Sequence, residues 1–205
     1  MQGYPNKTDA LKIWQEGLDF RIKNYGFPVA DEYVFHTKGI AESCEKIAKL
    51  MPDMNSEKAY VLGLLHDYGK KYPEKETGIF HGRRGYDEMM SMGYPDVAGI
   101  CLTHTFYAPN FSFDSFPSYT LDDLVWAKNK MADITFNDYD LLVQLCDMFF
   151  EGLNKVRIED RFQGIIKRYN LQFTDIENSY NHALENKKYF ESKIHTDIYN
   201  LLDIV

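Results

Sequence analysis

The residues of this sequence best suited to chemistry are histidines and aspartates that recur between positions 36 and 147. Imidazole and carboxylate groups together suit divalent iron, manganese, cobalt, nickel or zinc. Groups of this kind that face the interior lose their hydration, and a metal ion is a partner that replaces it. The pattern therefore predicts a metal site formed by His36, His66, Asp67, His81, His104 and Asp147.

None of these residues is distinctive when it is taken alone. The pair His66-Asp67 arises often by chance, and a histidine at the C-terminus of a helix is favourable without any metal. His36 could equally be a core histidine with a satisfied hydrogen bond. The ordered set favours the metal site, because it contains four of the six histidines in the chain.

Apolar residues recur with helical rather than alternating spacing along nearly the whole chain, which predicts an all-α helical bundle. We expect Thr8 and Thr120 to cap helices and Pro95 to open one. Helices of a bundle commonly direct ligands towards a shared centre. The predicted helices cover about residues 8–23, 31–51, 56–69, 81–93, 95–104, 120–132, a segment from 137 or 138 past Asp147, 158–169, and a segment from 174 onward.

Adjacent helical residues point about 100° apart. His66 and Asp67 can therefore serve one metal together only if Asp67 reaches sideways, as a carboxylate that bridges two metals would do. The last two predicted helices look structural. We expect His182 and His195 to be solvated surface histidines without a ligand role.

The order H…HD…D resembles that of the HD superfamily, with the local segments LLHDYGKK and LLVQLCDMFFEGL similar to its signatures. The resemblance covers roughly residues 30–170. It implies an all-helical fold and a metal centre, which in this superfamily is most often used to hydrolyse phosphate esters or anhydrides. The additional His81 and His104 resemble the dinuclear branch of the superfamily. By that resemblance, His36, His66, Asp67 and Asp147 would hold one metal, and Asp67, His81 and His104 would hold a second.

Three cations near these motifs are candidates for binding phosphate. Lys70 matches the lysine of the family's usual HDIGK segment, although it could instead stabilise the end of its helix. Arg83 and Arg84 directly follow His81 and its glycine. At least one guanidinium could grip phosphate in bidentate fashion, with a slight preference for Arg83, while the other is solvated.

Residues 106–119 form an aromatic-rich loop directly after His104. Phe106 and Tyr107 could line the substrate pocket and stack on a nucleobase, or the loop could simply pack on the bundle. We assign catalytic roles to Asp67, Lys70, Arg83 and Arg84, and substrate contacts to these three cations with Phe106 and Tyr107.

Composition limits the other classes of function. A chain of 205 residues, 44% hydrophobic, fits one domain, with a core motif region at about 30–170 and a C-terminal helical extension at 171–205. The net charge of −8 disfavours broad nucleic-acid or acidic-membrane binding. No signal-like or membrane-spanning segment is present, so a cytoplasmic location is expected. The acidic C-terminal helix leaves a homodimer possible, and the three cysteines are expected to be small buried side chains.

These features predict a metal-dependent phosphohydrolase that acts on a small phosphorylated metabolite, a nucleotide or dinucleotide, through a metal-activated hydroxide. The cofactor would be two divalent transition metal ions. A mixed-valence diiron oxygenase of the same superfamily is one alternative, since the ligand set is shared. A non-catalytic module that senses phosphate through its metal is another.

Overall fold

The computed structural model describes residues 3–26, 28–72, 80–105 and 120–205. Within these ranges the regular secondary structure is almost entirely helical, which confirms the all-α class predicted from the sequence. The helices are α1 (Lys7–Tyr25), α2 (Pro28–Ala48), α3 (Ser56–Leu65), α4 (His81–Ser91), α5 (Pro95–Thr103), α6 (Leu121–Met131), α7 (Asp138–Asp147), α8 (Ile158–Tyr169), α9 (Phe173–Ile194) and α10 (Ile198–Leu202).

Side-chain caps set where the helices begin. The Thr120 hydroxyl accepts a hydrogen bond from the Asp123 amide at 3.1 Å, as expected for the cap of α6. The predicted cap at Thr8 is wrong, because Asn6 accepts from the Asp9 amide and α1 begins at Lys7. Asparagine is at least as good a cap as threonine, so the earlier residue starts the helix.

Helix α3 lies at the centre of the bundle and packs closely on α2. Seven of its ten residues are buried. Gly63 allows the close approach, since a Cβ at this position would lie 3.0 Å from the Ala41 Cα atom. The three cysteines are buried in this core and form no disulfide, as the sequence predicts.

Two short elements complete the surroundings of the histidines. A single 3₁₀ turn, Tyr68–Lys71, follows α3 and is tied to α4 by an ion pair between Lys71 and Glu88. After α7, strands β1 (Phe150–Glu151) and β2 (Asn154–Lys155) form an antiparallel hairpin that the sequence pattern did not predict. In the described ranges, no helix combines the length and apolar character that crossing a bilayer requires.

Candidate metal centre

Helix ends supply most of the predicted ligands. The C-termini of α3, α5 and α7 all point at the same region, and α4 begins there. His36 is the exception, since it projects from within α2. The residues are His66 and His104 as the C-caps of α3 and α5, Asp67 next to His66, Asp147 as the last residue of α7, and His81 as the first of α4.

The Asp67 carboxylate lies between four imidazoles and is fully buried. Its Oδ2 atom is 3.2 Å from Nε2 of His36 and 3.3 Å from Nε2 of His66. Its Oδ1 atom is 3.4 Å from Nε2 of His81 and 3.2 Å from Nε2 of His104. Two groups of three residues result, with ligand atoms within 4.8 Å of one another in each. Asp67 belongs to both groups, because each of its carboxylate oxygens contacts a different pair of histidines.

Asp147 joins the first group, because its Oδ1 atom lies 3.2 Å from Nε2 of His36. Burial alone would raise the pKa of this carboxyl, but the close contact with His36 holds it well below its ordinary value. Burial opposes the ionisation of Asp67 in the same way, and the charge of Lys70 with the nearby imidazoles lowers the pKa of Asp67 well below its ordinary value. Both aspartates therefore stay ionised, which is the form that binds metals.

Backbone carbonyls fix the orientation of two of the imidazoles. The Nδ1 atom of His66 lies 2.7 Å from the Gly63 carbonyl oxygen, and that of His104 lies 2.9 Å from the Ile100 carbonyl oxygen. A carbonyl can only accept, so in each ring Nδ1 carries the proton. The lone pair is then on Nε2, the atom that faces Asp67, which is the usual arrangement of a metal-binding histidine.

The residues of this centre fit a metal ion. Nε2 of His36 and of His66, together with Oδ1 of Asp67 and of Asp147, are buried and make no hydrogen bond of acceptable geometry within the described part of the chain. Buried polar atoms normally have a partner. Three of these atoms are on residues of the two groups that share Asp67, and the fourth, on Asp147, lies next to His36. The lone pairs and negative charges among them call for a cation. A mixed imidazole and carboxylate set is typical of divalent transition metals.

Lys70 lies at the edge of this centre. Its ammonium donates to Oδ2 of Asp67 at 2.6 Å, while its side chain remains 41% exposed. Burial would lower the pKa of Lys70, but the charges of Asp67 and Asp147 raise it above its ordinary value. Lys70 is therefore a charged group that contacts both the centre and solvent.

An open pocket of about 170 Å³ adjoins the centre at His36, Asp67 and Lys70. Tyr33 also lines this pocket. Burial and the charge of Asp67 raise the pKa of Tyr33 far above its ordinary value, and the hydroxyl therefore keeps its proton. The remaining lining residues come from α1, α2, the β1–β2 hairpin and α8, and they are Arg21, Glu32, Phe150, Gly152, Arg161 and Arg168.

The three arginines of this pocket were missed in the sequence. Helix α8 was expected to be structural, and two of its residues, Arg161 and Arg168, line the pocket. They lie seven residues apart, so they share one face of the helix. That spacing is a signal which could have found them. Arg21 follows the buried Trp14 and Leu18 on the inner face of α1, where a cation is unusual.

The two arginines that the sequence favoured have other partners. The Arg83 guanidinium donates to Asp122 at 2.8 Å and to Asp123 at 3.1 Å, both in α6. Two residues along a helix rotate a side chain by about 200°, so Arg83 points away from His81. Arg84 lies over the Tyr72 ring at 4.9 Å. Neither arginine lines the pocket, as far as the described residues define it.

The other aromatic and histidine predictions have separate outcomes. Phe106 and Tyr107 lie outside the described residues. His195 is exposed at the end of α9, as expected. His182 is not a solvated histidine, because it is half-buried and its Nε2 atom lies 3.0 Å from the Gln144 side-chain oxygen. Burial accordingly lowers the pKa of His182.

The fold and the centre define a helical protein with a metal-type histidine and aspartate cluster at helix ends. A family model described as HD domain matches residues 33–148, which is more than half of the chain and includes every predicted metal ligand. The chain belongs to the HD domain family, whose members are mostly metal-dependent hydrolases. Searches of curated proteins and of solved structures found no significant match.

Proposed function

We propose that this protein is a metal-dependent phosphohydrolase that acts on a small phosphorylated metabolite, a nucleotide or dinucleotide. The observation that carries the proposal is the position of Asp67, whose two oxygens each face a different pair of imidazoles. A carboxylate in that position suits two metal ions bound side by side. Such a pair is well suited to displacement at phosphorus.

The residues divide naturally between two ions. His36, His66 and Asp147 would hold one, His81 and His104 would hold the other, and Asp67 would contact both. Bound divalent ions lower the pKa of a water molecule and polarise a phosphoryl oxygen, which supplies the nucleophile and part of the charge stabilisation. No side chain has to act as a covalent nucleophile.

The chain's own contribution is orientation and charge. The carbonyls of Gly63 and Ile100 hold His66 and His104 with Nε2 facing inward. Lys70 stays charged beside Asp67. An ammonium in that position can hydrogen-bond to a phosphoryl oxygen and stabilise the negative charge that develops during the displacement.

The pocket beside the centre favours phosphate chemistry over the alternatives. Its lining includes Lys70 and three arginines, and arginine clusters are typical of sites that recognise phosphate. A diiron oxygenase would share the ligands, but its redox chemistry does not by itself call for four cations. A phosphate sensor would need the cations but no open pocket at the metals.

The decisive experiment combines metal analysis with two activity assays. Protein purified without oxygen is analysed for metal content and then screened for phosphate release from mononucleotides and dinucleotides. We expect about two divalent ions per chain and phosphate release that proceeds without oxygen. Oxygen consumption without phosphate release would establish the oxygenase instead. Tight metal and phosphate binding with no turnover on any substrate would favour the sensor.

A further inference from the structure

The lining of the pocket next to His36 contains more cationic than anionic side chains, although the protein as a whole is acidic. The chain carries a net charge of −8. The pocket nevertheless contains Arg21, Lys70, Arg161 and Arg168 against the two carboxylates Glu32 and Asp67. With its metal ions bound, the centre would add further positive charge on one side. An excess of cations in one concave site, on an acidic protein, indicates a site for an anionic ligand.

The arginines are held in place by neighbouring groups at or beside the pocket. Arg161 donates to one oxygen of the Glu151 carboxylate, and Arg168 donates to the other. Arg21 donates to the backbone carbonyl of Lys70. A guanidinium has five N–H donors in a planar fork, so one such bond is compatible with further bonds to a ligand. Glu151 and the Lys70 carbonyl therefore preorganise three cations around the pocket.

Tyr33 provides an independent sign that this pocket binds a polar ligand. The residue lines the pocket and is only 5% exposed. Its hydroxyl is buried and has no hydrogen-bond partner among the described residues. Buried hydroxyls normally find an acceptor. A phosphoryl oxygen bound between the arginines would be such an acceptor.

We propose that this pocket binds a second phosphoryl group of the substrate, so that the protein selects compounds with at least two linked phosphates, such as a phosphoanhydride. The pocket is continuous from His36 and Asp67 to Arg161 and Arg168. One phosphoryl group would lie at the metal centre beside Lys70. The phosphoryl group linked to it in the substrate would lie among Arg21, Arg161, Arg168 and Tyr33. The assignment of the first group as the one that is cleaved rests on the proposed function, whereas the anion pocket does not.

The chemistry of the pocket favours phosphate over a carboxylate ligand. A phosphoryl group offers several oxygens, and arginine can pair with them in bidentate fashion. Three guanidiniums exceed what a single carboxylate with two oxygens can use. The pocket also begins at the metal centre, which places two anionic groups side by side. A diphosphate has two adjacent anionic groups, whereas a monoester has one.

Binding of two uncleavable probes tests the proposal on the metal-loaded protein. Methylenediphosphonate carries two linked phosphoryl groups, and methylphosphonate carries one. Each is titrated by calorimetry, after equilibration with the same metal at the same free concentration. The variants are Arg168→Gln and Arg161→Gln, with Arg157→Gln as control. Arg157 lies in the same part of the chain, and its side chain is 47% exposed against 46% for Arg168.

We expect the unmodified protein to prefer the diphosphonate by about tenfold or more, and Arg168→Gln to remove most of that preference, a change of ~1.4 kcal/mol or more. Arg157→Gln should keep the preference. Equal affinity of the unmodified protein for both probes would overturn the proposal, and so would a preference that survives Arg168→Gln. Thermal unfolding shows whether Arg161→Gln folds, and if it does not, Arg168→Gln decides.

The same titrations separate this inference from the proposed function. An arginine-dependent preference for the diphosphonate, with no phosphate release from any substrate, would keep the anion pocket and refute the hydrolase. Phosphate release from monoesters, with no arginine-dependent preference, would keep the hydrolase and refute the second-phosphate pocket.

Discussion

Gly69, in the HDYGK segment, is where a single methyl group should do the most damage to the centre. An added Cβ at this position would lie 1.9 Å from the carbonyl oxygen of His81 and 2.7 Å from the amide nitrogen of Gly85. Both are backbone atoms of α4, so no side chain can rotate to relieve the clash. The Gly69→Ala variant must therefore move the start of α4 away from the 3₁₀ turn, and His81 moves with it.

The size of the effect follows from these distances. Ordinary contact of a Cβ begins at 3.4 Å, so the His81 carbonyl has to retreat by about 3.4 − 1.9 = 1.5 Å. Overpacking of this kind costs typically ~1 to 3 kcal/mol of folding stability. A displacement of about 1 Å in a catalytic group can cost roughly 100-fold in rate. We expect metal binding at the His81 and His104 side of the centre to weaken and turnover to fall by about 100-fold.

A graded series of alanine variants provides the control. A Cβ at Gly99 meets nothing within 4 Å, whereas at Gly85 it meets the side chain of Cys101 at 2.8 Å and the Gly69 backbone nitrogen at 3.3 Å. Gly99→Ala should keep wild-type metal content and unfold at the same or a higher temperature, since alanine favours helix over glycine. Gly85→Ala should fall between Gly99→Ala and Gly69→Ala. Wild-type metal content, turnover and unfolding temperature in Gly69→Ala would refute the reasoning.

Three further predictions concern charge. Asp67→Asn should lower metal affinity at both groups by about 100-fold or more while helicity is retained. The control variant Asp122→Asn, at an exposed position, should keep wild-type metal affinity. Wild-type metal content in Asp67→Asn would rule out Asp67 as a shared ligand. Lys70→Ala should raise the activation barrier by ~2.7 to 4 kcal/mol, and so lower turnover, while metal content stays unchanged. Normal turnover in this variant would show that Lys70 has no role in the reaction. Burial raises the pKa of Glu45, but the hydrogen bond and charge of Lys7 lower it below its ordinary value. Its stabilising effect should thus be present above ~4.3, the unfolded pKa, and disappear as pH falls through the folded pKa. Glu45→Gln should therefore lower the unfolding temperature at pH 7 and leave it nearly unchanged at about pH 3; an equal loss at both values would contradict the cause.

The helices and the cluster of histidines and aspartates could be predicted because both leave local signals. Pro95 and Thr120 are start signals that act within one turn, and the structure uses both. Ligand chemistry restricts metal sites to a few residue types. His36, His81 and His104 therefore stand out, although 68 positions separate the first from the last. The order of the residues then supplied the family. It did not supply the number of metals or the substrate.

The arginine pocket could not be read from the sequence with the same ease. Arg21 and Arg161 are separated by most of the chain, and only the folding of α1 and α8 to the same pocket brings them together. Arginine is also common on solvated helix faces, so its presence alone indicates nothing. Proximity to His81 in sequence pointed to Arg83, but the phase of α4 turned it towards α6. Sequence distance was a poor guide here because helix phase decides direction.

The directions of the helices also relate the cations of the pocket to the histidine and aspartate cluster. Helices α3, α5 and α7 end at His66, His104 and Asp147, so three C-termini face the centre. Each helix C-terminus carries a partial negative charge of about half an electron, which favours a cation. A metal there is stabilised by the backbone as well as by its ligands. An anionic substrate would be repelled by those same termini, and the arginines beside the centre offset that repulsion. If the protein binds metal ions and a phosphorylated substrate as proposed, the metal ions and the arginines would together offset the repulsion of phosphate by these termini.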